Sequence, residues 1–236
     1  MGRYRWVFFD LFDTLCTVDE AVYYAGKRAA AESAGLEYDP FMAAWNSTSQ
    51  EASVGKLKTP YARAEQALSE LGVSDRRAVA EVARLDVETI QACVIYYEGA
   101  QDALKVLRER GFSLGLISNA TATTAFAIGP LGLRNNLDSL VFSYEVGATK
   151  PDAAIYQIAL SRAGSTPDRA LFVGDGANRE LDAARDLGMD TLCMNHSLKA
   201  HSFRNPDTVS DPTHPEVHSF AELLALPDLS EPASDD

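Results

Sequence analysis

Val7-Phe8-Phe9-Asp10-Leu11-Phe12-Asp13-Thr14-Leu15 is an apolar run that breaks into an acidic turn containing a threonine. An uninterrupted apolar run of this length reads as a strand buried on both faces, the kind found in parallel sheets. In open α/β sheets, ligands bind in the crevice beyond the carboxyl ends of the strands. Asp10 stands at that end. It is therefore a candidate nucleophile or metal ligand, the plainer alternative being a carboxylate that only starts the turn.

Three later stretches repeat the pattern. Leu114-Gly115-Leu116-Ile117-Ser118-Asn119 is a second buried run, ending on a hydroxyl and an amide. Gly147-Ala148-Thr149-Lys150-Pro151-Asp152 places a lysine beside a helix start, signalled by proline at the first helical position next to an acid. Ala170-Leu171-Phe172-Val173-Gly174-Asp175 is a third run, and Gly176-Ala177-Asn178-Arg179-Glu180 carries it through a loop into a helix. Together these strand ends offer carboxylates, a hydroxyl and an ammonium to one crevice. Hard oxygen ligands suit Mg²⁺, while Ser, Lys and backbone N–H groups suit a phosphate.

Taken together, these residues resemble the haloacid dehalogenase superfamily of aspartyl-nucleophile hydrolases, over about residues 5–226. Asp10 matches the family's nucleophile motif, Ser118 the second motif, Lys150 the third, and Asp175 with Glu180 the acidic fourth. The resemblance implies an α/β fold, a Rossmann-like doubly wound parallel sheet with an inserted α-helical cap. It also implies attack by Asp10 to give a covalent intermediate that water hydrolyses. Ser118, Asn119 and Lys150 would bind substrate, and Asp10, the Phe12 carbonyl, Asp175 and Glu180 would hold Mg²⁺.

The chain departs from that pattern at Phe12. The family's phosphatases carry a second Asp there as general acid and base, a role worth about 10²–10⁴ in rate that phenylalanine cannot fill. Asp13 is either a replacement acid, if a tight turn redirects it, or a turn and N-cap residue. In the dehalogenase branch this position is aromatic, because a halide leaves without a proton. That branch, however, carries a Ser/Asn-rich fourth motif and no metal, whereas this chain has Asp175 and Glu180. Three readings follow: a magnesium-dependent phosphatase of a small metabolite, a 2-haloacid dehalogenase, and a catalytically weak binding module. The first is favoured. Glu180 stands where Asp is commoner in the family, and its longer side chain would reach the metal through water.

At 236 residues the chain is long enough for a sizeable core, with apolar residues at 46% and charged residues at 23%. A net charge of −13 argues against nucleic acid, which needs clustered Lys and Arg. No stretch is apolar enough to span a membrane, and the start of the chain leaves no room for a cleavable signal. Cys16, Cys93 and Cys193 are widely spaced, which suits a reducing cytoplasm. Cys16 follows the nucleophile loop and reads as a small buried hydrophobe rather than a second nucleophile. His196, His201, His214 and His218 show no metal-ligand spacing. His196 and His201 lie near enough to approach the crevice, but read as surface or loop residues.

Residues 17–95 differ from the rest in their helical spacing and scarcity of β-branched runs. They read as helices at about 19–34, 40–53, 60–71 and 76–92, forming a cap between two core segments at 1–16 and 96–226. Tyr23, Tyr24, Trp45 and Tyr61 would face either a substrate or the interior of the bundle. After the cap, strands and helices alternate as in βαβ units, so crossovers are right-handed. The Pro/Ser-rich end, 227–236, with Asp228, Glu231, Asp235 and Asp236, reads as a disordered acidic tail.

Overall fold

The computed structural model describes residues 2–196 and 209–234. In chain order, β1 (Trp6–Phe9) and β2 (Cys16–Val18) precede five helices: α1 (Glu20–Ser33), α2 (Tyr38–Ser47), α3 (Ser49–Ser53), α4 (Pro60–Glu70) and α5 (Arg76–Cys93). Then follow β3 (Val94–Tyr96), α6 (Ala100–Glu109), β4 (Ser113–Ser118), α7 (Ala122–Leu131), α8 (Leu133–Asn136) and β5 (Ser139–Phe142). The next elements are α9 (Ser143–Val146), α10 (Ala153–Ala163), β6 (Ala170–Gly174), α11 (Glu180–Asp186) and β7 (Asp190–Met194). The described chain closes with β8 (Glu216–Val217) and α12 (Phe220–Leu224).

Among the described residues, six strands form one sheet in the order β5-β4-β1-β6-β7-β8, and every pairing in it is parallel. The order turns back on either side of β1, which makes the carboxyl end of β1 a topological switch point. Side chains along β1 alternate between two cores. Val7 and Phe9 join Leu114, Val173 and Leu104 on one face. Phe8 joins Ile117, Tyr156, Phe172 and Leu181 on the other. Both faces are thus covered, as parallel sheets require. Phe8 fits only because position 115 is glycine: a Cβ there would lie 2.4 Å from Phe8 Cδ1.

Between β2 and β3 the helices build a third core around Phe41, Trp45, Leu68, Val79 and Val82, with Phe41 stacked on Trp45. Asp19 and Asp75 cap α1 and α5 by accepting from backbone N–H groups in the first turn. The expected single helix over 40–53 starts instead at Tyr38 and breaks at Thr48, whose hydroxyl donates to the Trp45 carbonyl (2.7 Å) and accepts from Arg63 Nε (3.0 Å). Pro40 falls in the first turn, where a missing N–H costs nothing. Pro151 lies just outside α10 rather than opening it, because Asp152 is the N-cap and accepts from Ala154 N–H at 2.9 Å.

Two features were not anticipated. β2 and β3 pair antiparallel as a two-stranded ribbon at the root of the helical segment; three residues each are too few to show a period. The end of the chain also corrects the expectation of a disordered tail over 227–236. Leu229 is fully buried, Arg110 donates to the Leu224 and Leu229 carbonyls at 2.9 and 2.8 Å, and Ala233 N–H donates to the Tyr4 carbonyl at 2.7 Å. One apolar anchor and one guanidinium outweigh a polar composition. Asp235 and Asp236 lie outside the described residues, as does His201.

Candidate active site

The carboxyl ends of β1, β4 and β6 and the loop before α10 surround a cavity of about 320 Å³, within the range of small-molecule sites. Asp10 follows β1, and its N–H donates to the Val173 carbonyl at 2.9 Å, which ties the acidic turn to β6. Asp10, Asp175 and Glu180 are all buried, and each offers a carboxylate oxygen within 4.8 Å of those of the other two. The Lys150 ammonium pairs with both Asp10 and Glu180.

These groups shift one another. Burial raises the Asp10 pKa, Lys150 opposes it and Asp175 adds to it. Glu180 is pushed up to about 8 by burial, against Lys150, with Asp10 and Asp175 adding to the rise. Burial alone would lower the Lys150 pKa, but Asp10 and Glu180 outweigh it and hold it above the ordinary value. The donor chemistry fits a hard divalent cation: three buried carboxylates converge on one point, and no sulfur or imidazole is among them.

Local structure fixes each group. Glu180 begins α11, its carbonyl accepts from the Tyr156 hydroxyl at 2.8 Å, and its Oε1 accepts from Gly176 N–H at 3.2 Å. It packs over Gly174, where a Cβ would lie 2.1 Å from Glu180 Oε1. Asn119 uses its side chain on Lys150, donating to its carbonyl (3.0 Å) and accepting from its N–H (2.7 Å). The amide of Asn119 thus positions the lysine, and its backbone N–H is the group we read as offered to a ligand. Ser118 Oγ is buried beside the cavity and has no hydrogen-bond partner among the described residues. A buried hydroxyl in that condition calls for a ligand atom.

Phe12 and Asp13 also line the cavity. Asp13 has φ +57, in the left-handed region where a side chain costs energy and glycine does not. Asn178 and Arg179 share that conformation, and Asn178 also lines the cavity. Strained residues of this kind gather at functional sites. The turn is supported from behind by His196, which donates from Nε2 to the Thr14 carbonyl at 2.9 Å and stacks on Tyr97 with ring centroids 3.7 Å apart. His196 is therefore buried behind the turn rather than a surface residue. His214 is buried too, bridging Thr191 Oγ1 (2.7 Å) and Asp182 Oδ1 (2.9 Å). Cys16 is buried, and burial raises its pKa well above the ordinary value, which disfavours a thiolate there.

Val18, Tyr23 and Ile90 complete the lining from β2, α1 and α5. Sequence singled out only Tyr23, among four aromatics. The others divide as the bundle packs: Trp45 is buried in the helical core, and Tyr61 packs partly buried against it. Val18 and Ile90 gave no signal, because which face of a helix or short strand meets a cavity depends on neighbours distant in sequence.

The model of the haloacid dehalogenase-like hydrolases matches residues 4–188. The chain is 34% identical over 165 residues to human haloacid dehalogenase-like hydrolase domain-containing protein 3, a match covering 68% of this chain and 63% of that protein. It is 28% identical over 236 residues to a pyrimidine 5'-nucleotidase of Escherichia coli (strain K12), covering 94% and 98% of the two. The crystal structure of a 2-haloacid dehalogenase from Pseudomonas syringae superposes with a TM-score of 0.68 at 26% identity, over 93% of this chain and 96% of that one.

Proposed function

The chain belongs to the haloacid dehalogenase-like hydrolases, and we propose that within this family it is a magnesium-dependent phosphatase of a small phosphorylated metabolite. The observation that carries the reading is the convergence of Asp10, Asp175 and Glu180, buried, with oxygens within 4.8 Å of one another. Three converging carboxylates with one ammonium, which pairs with two of them, are poorly balanced in a protein interior, and a divalent cation balances them.

In this reading Asp10 Oδ attacks phosphorus in line, and the bond from phosphorus to the leaving oxygen breaks. Water then cleaves the aspartyl phosphate and returns Asp10 to a carboxylate. The Ser118 hydroxyl and the Asn119 N–H hold phosphoryl oxygens, and Lys150 screens the crowded anions. Mg²⁺ held by Asp10, the Phe12 carbonyl, Asp175 and Glu180 would supply neutralisation of the charge that builds on those oxygens. The helices between β2 and β3 act as a cap over the cavity.

One observation favours a second reading: Phe12 puts an aromatic side chain where a phosphatase carries its acid, which suits a halide leaving group. Release of phosphate from a metabolite panel and of halide from chloroacetate and 2-chloropropionate, each with Mg²⁺ and with chelator, separates the two. Phosphate release that stops on chelation is the expected result. Halide release indifferent to Mg²⁺ would replace the phosphatase by the dehalogenase.

A further inference from the structure

The two sides of the cavity differ in kind. Phe12, Val18, Tyr23 and Ile90 line it from four separate segments, and all four are partly buried hydrophobics packed against one core cluster. They form an apolar wall rooted in the interior, with one edge of each side chain left to the cavity. Tyr23 is braced in addition: its ring meets Tyr24 edge-on with centroids 5.4 Å apart, and the Lys27 ammonium lies 5.3 Å from its centroid.

The charged groups opposite are nearly all of one sign. Among the described residues lining the cavity, Asp10, Asp13, Asp175 and Glu180 supply four carboxyl groups, and Lys150 is the one cation. That ammonium is already engaged by Asp10 and Glu180. With Lys150 and the metal of the phosphatase reading both taken up by the phosphate and its carboxylates, a second anionic group on a substrate would find carboxylates and no further cation among the lining residues. Phe12 has no proton to give to the departing oxygen.

Resting on the phosphatase reading, we infer that the substrates are phosphate monoesters of an aryl or enol alcohol, flat and uncharged apart from the phosphate. The ring or double bond lies between Tyr23, Ile90, Val18 and Phe12. As Asp10 attacks phosphorus, the electron pair of the breaking P–O bond leaves on a phenolate or enolate oxygen, stable enough to depart without a proton. Water is the remaining reactant. Its oxygen ends on phosphate as the aspartyl bond breaks, and its protons go to the released anion and to solvent.

The test is a leaving-group series with the Mg²⁺-loaded wild type: 4-nitrophenyl, phenyl and glycerol phosphates, a pyrimidine nucleoside 5'-monophosphate, and acetyl phosphate as a small activated control. Phenyl phosphate is expected to exceed glycerol phosphate and the nucleotide by at least about 10² in kcat/KM, the scale of an absent general acid. Turnover of either within tenfold of phenyl phosphate would overturn the inference. Tyr23→Ala and Ile90→Ala should each raise KM for phenyl phosphate at least about tenfold while changing acetyl phosphate less than threefold. Equal effects on both substrates would show that the wall does not hold the leaving group. Asp13 also lines the cavity, where its Oδ1 accepts from the Tyr97 hydroxyl at 3.4 Å. If Asp13→Asn selectively slowed phenyl over 4-nitrophenyl phosphate, a proton would be reaching the departing oxygen and the inference would fall. Failure of every ester and of acetyl phosphate, with halide released instead, would overturn the phosphatase reading itself.

Discussion

Replacing Lys27 by Met removes one half of an ion pair sealed inside the helical segment. The Lys27 and Asp86 side chains are 1% and 2% exposed, and the ammonium sits 3.9 Å from the Trp45 ring centroid. The variant leaves the Asp86 carboxylate with the Thr123 hydroxyl, which donates to Oδ2 at 2.7 Å, and with the longer-range attraction of Arg63. Stranding a buried charge in this way costs about 3–5 kcal/mol. For a chain of this length each kcal/mol moves Tm by about 2–4 °C, so a fall of about 6–20 °C is expected. Combining Lys27→Met with Asp86→Asn removes both charges while keeping an acceptor for Thr123. The double variant should recover to within about 2 kcal/mol of the wild type, because apolar replacement of a whole pair is often near neutral. The two tryptophans, Trp6 in the sheet and Trp45 in the helical core, allow urea unfolding to be followed in each region through Trp→Phe variants. A single variant within about 1 kcal/mol of the wild type, or a double variant no more stable than the single, would refute the reasoning.

Three further outcomes are expected. Asp10→Asn should lower turnover by at least about 10³ with Tm nearly unchanged, since the amide keeps the shape and loses the nucleophilic charge; retention of more than a few per cent of activity would exclude nucleophilic attack by this group. Gly174→Ala places a methyl 2.1 Å from Glu180 Oε1 and 3.1 Å from Phe172 Cε1, so Glu180 must shift. The Mg²⁺ concentration for half-maximal activity should then rise at least about tenfold, and an unchanged metal titration would place Glu180 outside the metal set. Burial would raise the Asp182 pKa, but hydrogen bonds from His214, the Asp211 N–H and Arg179 hold it below the usual carboxylate range. Its stabilisation is therefore present above the ordinary Asp pKa of about 3.9 and lost as pH falls through the depressed one. Asp182→Asn should flatten the acid limb of a Tm-against-pH curve, and an unaltered limb would show that this carboxylate carries no such linkage.

The parts of the site that sequence brought into view share one property: Asp10, Ser118 and Asp175 each follow a buried run, so their place at a strand end follows from the run itself. Lys150 was legible through the helix start beside it, and Glu180 through the helix that opens after a glycine-containing loop. The fold was legible for the same reason, since runs buried on both faces alternate with amphipathic helices. What escaped depends on distant contacts. Ile90 reaches the cavity only because α5 packs on α1 at one rotation. The break at Thr48 depends on Arg63, fifteen residues away. Leu229 looked like part of a polar tail because nothing nearby reveals that Arg110 waits for its carbonyl.

The ribbon of β2 and β3 has a consequence for how such a protein changes over time. Thr17 lies opposite Ile95, so the chain leaves for the helical segment and returns from it at the same place. The entropic cost of closing the segment is set at that doorway and grows only slowly with the number of residues beyond it. Helices can be lengthened, exchanged or lost past Val18 and Val94 while the spacing between Asp10 and the ribbon stays the same. A lineage can therefore rewrite what reaches the cavity from above without re-solving the placement of its carboxylates, and a chimera joined at these two residues inherits the same freedom.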